Sequence, residues 1–300
     1  YIGRGRPMEP AKLKKRPGAW EPYLFLAPAM LLLFIFKIYP IIISFAGSFF
    51  AESFLRGETY FAGLDNYTAL FTDPTFYKTL KVTLIFNLIT TPLQILISLL
   101  LALSVRVPGR ANSAFRSVFM MPIAIALSSG CMIWNILLNP NQGVVNSILM
   151  MFGMPAQPFF TSPKQSMMSV ILICIWKGCG YWMLYLLSGI QEVSESLIES
   201  ARIDGANGFR TVWDIILPLI RRSMMFVFVS NTVANLLMFV PMYMITLGGP
   251  EMSTNLMMYE AYKSGFIYAD FGRSYAIVTL ILLVSFAVVM VEMKVLKPKH

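Results

Sequence analysis

Six long apolar runs, at about residues 23–50, 79–105, 115–138, 166–190, 224–247 and 274–295, constrain this chain more than any other feature. A helix needs roughly 20 mostly apolar residues to cross the hydrocarbon of a bilayer, and each run is long enough. Strands of a membrane barrel would be shorter and would alternate apolar with polar residues, which these runs do not. Charged residues make up 13% of the chain, about half the usual share of a soluble domain. The fold class is therefore all-α integral membrane, with about six transmembrane helices.

The net charge of +9 points to nucleic acid only where the basic residues share one soluble face. Here they sit in short segments between the apolar runs. Segments assigned to the inside hold Arg4, Arg6, Lys12, Lys14, Lys15 and Arg16; then Arg106, Arg110 and Arg116; then Arg202, Arg210, Arg221 and Arg222; and last Lys294, Lys297 and Lys299. That is sixteen of the 24 basic residues. The outside holds Arg56, Lys78, Lys81, Lys164, Lys263 and Arg273, while Lys37 and Lys177 fall within spans. Cytoplasmic loops carry the excess of Lys and Arg, so both termini and the segment 191–222 are expected in the cytoplasm. Residues 1–22 read as a basic cytoplasmic tail and 23–300 as one transmembrane domain; the first apolar run is too long for a signal peptide. Cys131, Cys174 and Cys179 lie within apolar runs and the one histidine is His300, so neither a disulfide framework nor a metal site is expected.

One polar stretch, Gln191 to Arg222, interrupts this pattern with five acids and four arginines. Val193, Leu197 and Ala201 repeat at four-residue spacing, as on one face of a helix. Gly205 and Asn207-Gly208 signal a turn. Phe209, Val212, Trp213, Ile216 and Leu217 restart a helical stripe, and Pro218, which has no N–H to give, closes or kinks it. The stretch therefore reads as helix, turn, helix between the fourth and fifth spans. Two plain structural readings stand beside any functional one. Ser196 and Glu199 have the spacing of a capping box, and Gly205 suits a helix C-cap.

Glu199-Ser200-Ala201, Gly205, and Ile215 with Leu217-Pro218 resemble the "EAA…G…I-LP" signature of permease subunits of ATP-binding-cassette importers. Ser200 stands where the signature has its first alanine; serine is also small, so close packing survives. The run Ala201-Arg202-Ile203-Asp204-Gly205-Ala206 is similar to the sugar-importer branch, which includes the maltose and glycerol-phosphate permeases. Gly63-Leu64-Asp65-Asn66-Tyr67 and Asp73-Pro74 resemble that branch's first outer loop, and the segment from Gly248 to Gly272 its last. The resemblance implies a multi-pass protein of the bacterial plasma membrane whose residues Glu199, Ser200, Ala201, Asp204, Gly205, Ala206, Ile215, Leu217 and Pro218 couple it to an ATPase. It implies as partners a second permease subunit, two ATP-binding cassette subunits and an extracytoplasmic substrate-binding protein. ATP and magnesium would bind the ATPase, with no cofactor on this chain, which lacks a Gly-x-x-x-x-Gly-Lys-Ser/Thr phosphate loop. The expected activity is import of a sugar or oligosaccharide, with no catalysis by the chain itself.

Polar residues inside the spans are candidates for the substrate path. Asn87, Thr91, Gln94 and Ser98 form a stripe on the second span, read equally as glue between helices or as a pore face. Lys177, mid-span between Trp176 and two glycines, must face protein or water; it pairs with a neighbouring carbonyl or serves the path. Trp182, Tyr185, Asn231, Asn235 and Tyr243 complete the candidates, since sugars are held by planar polar groups and by ring faces. Lys37 lines a pathway or snorkels to the interface. A membrane-embedded enzyme would need a catalytic set within spans, where only Glu292 lies. An ion-coupled secondary transporter or a channel subunit remains the alternative, and it would call for internal repeats and intramembrane acids. The identity of the substrate is not legible in the residues.

Overall fold

The computed structural model describes residues 20–52 and 58–295. Arg4, Arg6, Lys12, Lys14, Lys15 and Arg16 of the expected tail, Arg56, Lys297, Lys299 and His300 lie outside the described residues. The chain divides into two units, the first ending at Ala46 and the second beginning at Gly47.

The first unit is a single apolar helix in two pieces. α1 (Glu21–Leu33) passes through a π-helical turn, Phe34–Ile38, into α2 (Tyr39–Gly47). Pro40 follows closely on this turn. A proline withholds its N–H from the ladder, and a widened turn absorbs the mismatch. Its large side chains, Phe25 and Phe36 among them, are exposed, as suits a helix whose solvent is lipid. Lys37 is exposed within the widened turn.

In the second unit, the segment read as a plain loop holds structure. β1 (Phe50–Glu52) pairs antiparallel with β2 (Thr59–Phe61), Ala51 opposite Tyr60, and α3 (Asp65–Thr72) follows. The Asn66 amide ties this corner down by donating to the carbonyls of Ser48 and Phe50 at 2.8 and 2.9 Å. α4 (Pro74–Ser104) begins with proline at its first position and Asp73 as its cap, whose carboxylate accepts from the Thr75 N–H at 2.7 Å. The helix is polar inward and apolar outward. Leu84, Leu88, Leu96 and Leu100 are exposed, while Thr83, Asn87, Thr91, Gln94 and Ser98 are buried.

The third run is broken. α5 (Arg110–Ala124) and α6 (Leu127–Leu137) meet at 96°. Pro122 weakens the end of α5, and Ile125 and Ala126 are extended, with ψ of 130° and 140°. α7 (Val144–Met151) is a short helix between the third and fourth apolar runs. α8 (Ser166–Gln191) is one continuous helix packed along α4. The hairpin comprises α9 (Glu195–Ile203), α10 (Gly208–Arg210), a π-helical turn (Thr211–Ile216) and α11 (Leu217–Leu219).

α12 (Arg221–Leu236) starts the fifth run but stops after 16 residues. Leu237 leaves the helical region, and the chain resumes as a π-helical turn, Met242–Thr246, after Pro241. Pro241 has no N–H to give the carbonyl four residues back, that of Leu237, and it is at Leu237 that α12 ends. α13 (Met257–Tyr262) and α14 (Phe271–Val295) complete the chain. Among the described residues four helices are long and apolar enough to cross a membrane, or five if the bent pair counts as one. The six apolar runs thus become four continuous helices, one bent pair and one divided run, with a proline at each of the two interruptions.

Candidate functional site

The hairpin is shaped by its caps. The turn after α9 is a complete Schellman motif. The Gly205 N–H donates to the Arg202 carbonyl at 3.1 Å and the Ala206 N–H to the Ala201 carbonyl at 2.9 Å. Gly205 has φ +86°, the left-handed conformation this motif demands. The C-cap reading of this glycine is therefore correct. Two residues on, Asn207 caps the next helix, its side-chain oxygen accepting from the Arg210 N–H at 2.9 Å. Gly208 is the first helical residue, so Asn207-Gly208 acts as cap and helix start instead of as a two-residue turn. The capping box between Ser196 and Glu199 does not form. α9 starts two residues earlier than that box requires, Ser194 stands at its cap, and the Ser194 and Ser196 hydroxyls lie 2.6 Å apart.

These caps bring Glu199, Ser200, Ala201, Asp204, Gly205, Ala206, Ile215, Leu217 and Pro218 onto one element of two helices and a four-residue connection. Its inner face buries Ile216 and Ile220 and rests Ile198, Val212 and Leu217 against Leu99, Val105, Leu186 and Ile190. The hairpin thereby sits on the adjoining ends of α4, α8 and α12. Gly189 lets α8 and α12 meet there; a Cβ would lie 2.5 Å from the Ser223 hydroxyl. Its outer face leaves Ile203 86%, Phe209 74% and Trp213 63% exposed. Phe209 and Trp213 stack with centroids 6.1 Å apart and planes 9° apart. Glu199, Asp204 and Pro218 are exposed beside them. Among the described residues the ion pairs join Asp73, Glu260, Lys263 and Arg273, and none involves the hairpin. A cleft of about 460 Å3 separates α9 from the α4–α5 connection, with Glu195, Glu199, Arg202 and Arg106 at its edge. An exposed apolar stripe flanked by unpaired charges is the chemistry of a docking element.

The candidate path residues divide into two groups. Asn87, Gln94, Asn231 and Asn235 are buried and bonded to one another or to backbone. The Asn235 amide donates to Thr91 Oγ1 at 2.9 Å, to Gln94 Oε1 at 3.2 Å and to Asn231 Oδ1 at 3.2 Å. Asn87 donates to the Thr232 carbonyl at 2.9 Å and accepts from Thr91 at 2.9 Å. Gln94 and Ser98 donate to the α8 carbonyls of Cys174 and Cys179, at 2.6 and 3.0 Å. The stripe on the second span therefore ties α4, α8 and α12 together in this structure. Asn231 Nδ2 is buried within this network without a partner.

Lys177 takes the carbonyl pairing open to it. Its ammonium donates to the carbonyls of Pro122, Ile123 and Ile125 at 2.7, 3.0 and 2.6 Å. The neighbouring glycines serve close approach and not irregularity, because α8 runs unbroken through them.

The second group is aromatic and partly open. Tyr185 and Tyr243 are 39% and 41% exposed, whereas Trp182 is buried. Tyr185 lies 5.4 Å from Phe226 and its hydroxyl 3.1 Å from that of Tyr181. Tyr181 and Phe226 belong to this surface and were not singled out by residue type or spacing; the four-residue step from Tyr181 to Tyr185 was the available signal. Tyr243 stacks on Phe239 at 5.3 Å.

Residues 76–299 match the family described as binding-protein-dependent transport system inner membrane component. The sn-glycerol-3-phosphate transport system permease protein UgpA of Agrobacterium fabrum is 33% identical over 261 residues, covering 87% of this chain and 89% of the relative. The sulfoquinovosyl glycerol transport system permease protein SmoG of the same bacterium is 32% identical over 277 residues, covering 92% and 90%. The fold is similar to that of a chain in the crystal structure of a bacterial alginate ABC transporter in complex with an alginate pentasaccharide-bound periplasmic protein. That match has a TM-score of 0.78 at 23% identity and covers 91% of this chain and 92% of the other.

Proposed function

We propose, since this chain belongs to the family of binding-protein-dependent transport system inner membrane components, that it is the permease subunit of an ATP-driven importer for a sugar or sugar-like polyol. The observation that carries this reading is the hairpin from Glu195 to Ile220. It is packed on one face against α4, α8 and α12, and it offers Ile203, Phe209 and Trp213 on the other. An ATPase subunit fits that outer face, with Glu199, Asp204 and Gly205 at the contact. The complex holds two such ATPases, which bind ATP and magnesium, a second permease subunit and an extracytoplasmic binding protein. Both termini and the hairpin face the cytoplasm, as the distribution of basic residues supports. The chain contributes no catalytic group.

The mechanism is a linkage between two states. ATP closes the ATPase pair, the hairpin moves with it, and the spans that it grips switch the cavity between its inner and outer openings. A ligand shifts such a switch only by binding the two states unequally. The substrate class rests on the names of the two relatives, a glycerol phosphate and a sulfoquinovosyl glycerol transporter. Both substrates are anions. Lys177 has no free N–H to give an anion, because its ammonium protons already point at three carbonyls. The open rings of Tyr181, Tyr185 and Phe226 suit the C–H faces of a polyol instead.

Reconstitution into liposomes with the ATPase, the second permease and the loaded binding protein tests this reading. Accumulation of a sugar or polyol inside the vesicles must require ATP and stop without the ATPase. Accumulation driven by an ion gradient alone overturns it in favour of a secondary transporter.

A further inference from the structure

The polar groups of a broken helix inside a membrane need partners from elsewhere in the protein. At the bend between α5 and α6 the carbonyls of Ile123 and Ile125 lose their helical donors, because Ile125 and Ala126 are extended. Pro122 keeps only a long bond, 3.3 Å, from the Ile125 N–H. Lys177 of α8 meets all three carbonyls. An ammonium has three donor protons, so its capacity is filled. Its charge also faces the negative end of the α5 dipole.

The neighbours of Lys177 hold both arms of the same bend. On the α6 side, Trp176 meets Trp134 edge-on at 5.8 Å, and a Cβ on Gly130 would lie 3.1 Å from the Trp176 ring. On the α5 side, a Cβ on Gly180 would lie 2.1 Å from the Phe119 carbonyl oxygen, so glycine permits backbone contact there. Three residues within one stretch of five on α8, Trp176, Lys177 and Gly180, thus grip the third crossing on both sides of its bend and at it. From Lys177 to Gln191 is about 21 Å of unbroken helix at 1.5 Å per residue. At Gln191 that helix runs into the hairpin.

We propose that Lys177 is a positioning residue for transport, tying the bent third crossing to α8 so that movement delivered at the hairpin reaches α6. This rests on the reading of the chain as a permease driven through the hairpin. In that role Lys177 does not touch substrate. It converts a motion of one straight helix into a motion of the bent one, and the tie stays closed through the cycle.

Two measurements on the assembled complex test it. The first compares native protein with Lys177→Met, which keeps the length of the side chain and removes every donor, and with Lys177→Arg, which keeps the charge. The molecules accumulated per ATP hydrolysed fall about tenfold in the methionine variant, within the range of coupling between distant sites. Hydrolysis itself stays within about twofold, and arginine restores part of the ratio. Transport and hydrolysis falling together at a constant ratio would mean a merely structural role and overturn the proposal.

The second keeps Lys177 and survives a variant that does not insert. Spin labels on Ile136 of α6 and Ser188 of α8, both exposed, report one separation with and without trapped nucleotide. The native cysteines are buried and compete little for label. A separation that changes between the two states overturns the tie. A native complex without ATP-dependent accumulation sinks the permease reading itself, whereas a native complex that transports beside a methionine variant of unchanged ratio sinks the tie alone.

Discussion

Gly205 gives a graded test of how the hairpin is held. It sits at φ +86°, and a Cβ built there meets no atom within 4 Å. Any effect of alanine is therefore backbone strain and not a clash. A non-glycine residue in the left-handed region costs about 1–2 kcal/mol, and opening the turn releases that strain. Opening frees the Ala206 N–H from the Ala201 carbonyl. Amide exchange at that position should accelerate roughly five- to thirtyfold in Gly205→Ala, the factor that 1–2 kcal/mol corresponds to. Gly205→Asn should exchange more slowly than Gly205→Ala, because asparagine tolerates this conformation. Gly205→Pro removes the donor to the Arg202 carbonyl and fixes φ at the wrong sign, which costs ~3 kcal/mol or more. It should insert into the membrane and yet fail to couple import to ATP. The assay is hydrogen–deuterium exchange by mass spectrometry on peptides spanning 200–208, in lipid discs, followed by transport in vesicles. An alanine variant that exchanges like native protein refutes the backbone argument, and a proline variant that imports at the native rate refutes the coupling role.

Three further outcomes are expected. Phe209→Ser combined with Trp213→Ser should leave insertion and thermal stability intact but abolish co-purification with the ATPase, because both rings are exposed and stack on each other; retained ATPase would place docking elsewhere. Asn235→Ala should lower stability in detergent by about 1–3 kcal/mol, since it strands buried acceptors, where an average interhelical hydrogen bond in a membrane contributes about 0.6 kcal/mol; a loss no larger than that average would mean the network relaxes. Burial alone would raise the Asp73 carboxyl, but the Thr75 N–H and the Arg273 guanidinium outweigh it and hold the group below its ordinary 3.8. Its contribution is then complete above pH 3.8 and fades as pH falls below that value towards the lowered pKa. Asp73→Asn, which keeps a capping side chain, should flatten the acid limb of a melting-temperature profile, and an unchanged limb would contradict the assignment.

The hairpin was legible because capping and turn chemistry are local: Gly205, Asn207 and Pro218 act within four residues of themselves. The small error at Ser196 and Glu199 has the same origin, since Ser194 competes for the same helix start and wins. The stripe from Asn87 to Ser98 was legible as a face, but periodicity does not say what the face meets. Only the arrival of Asn235 and the α8 carbonyls, some 80 to 145 residues away in the chain, turns it into a tie between helices. The break at Ile125 was invisible inside a continuous apolar run, because composition sets length and not direction. Pro122 and Pro241 lie beside the two interruptions and were not singled out, because a proline in an apolar run does not say which way the chain then turns. The small sheet between Phe50 and Phe61 went unread because its three-residue strands carry no periodic signal.

The lysine at the bend also orders the making of the protein. The carbonyls of Pro122, Ile123 and Ile125 are synthesised 52 to 55 residues before the amine that satisfies them. Until the ribosome has delivered that amine, they have water or lipid headgroups as partners, and neither is at home in hydrocarbon. The corner is therefore a late event.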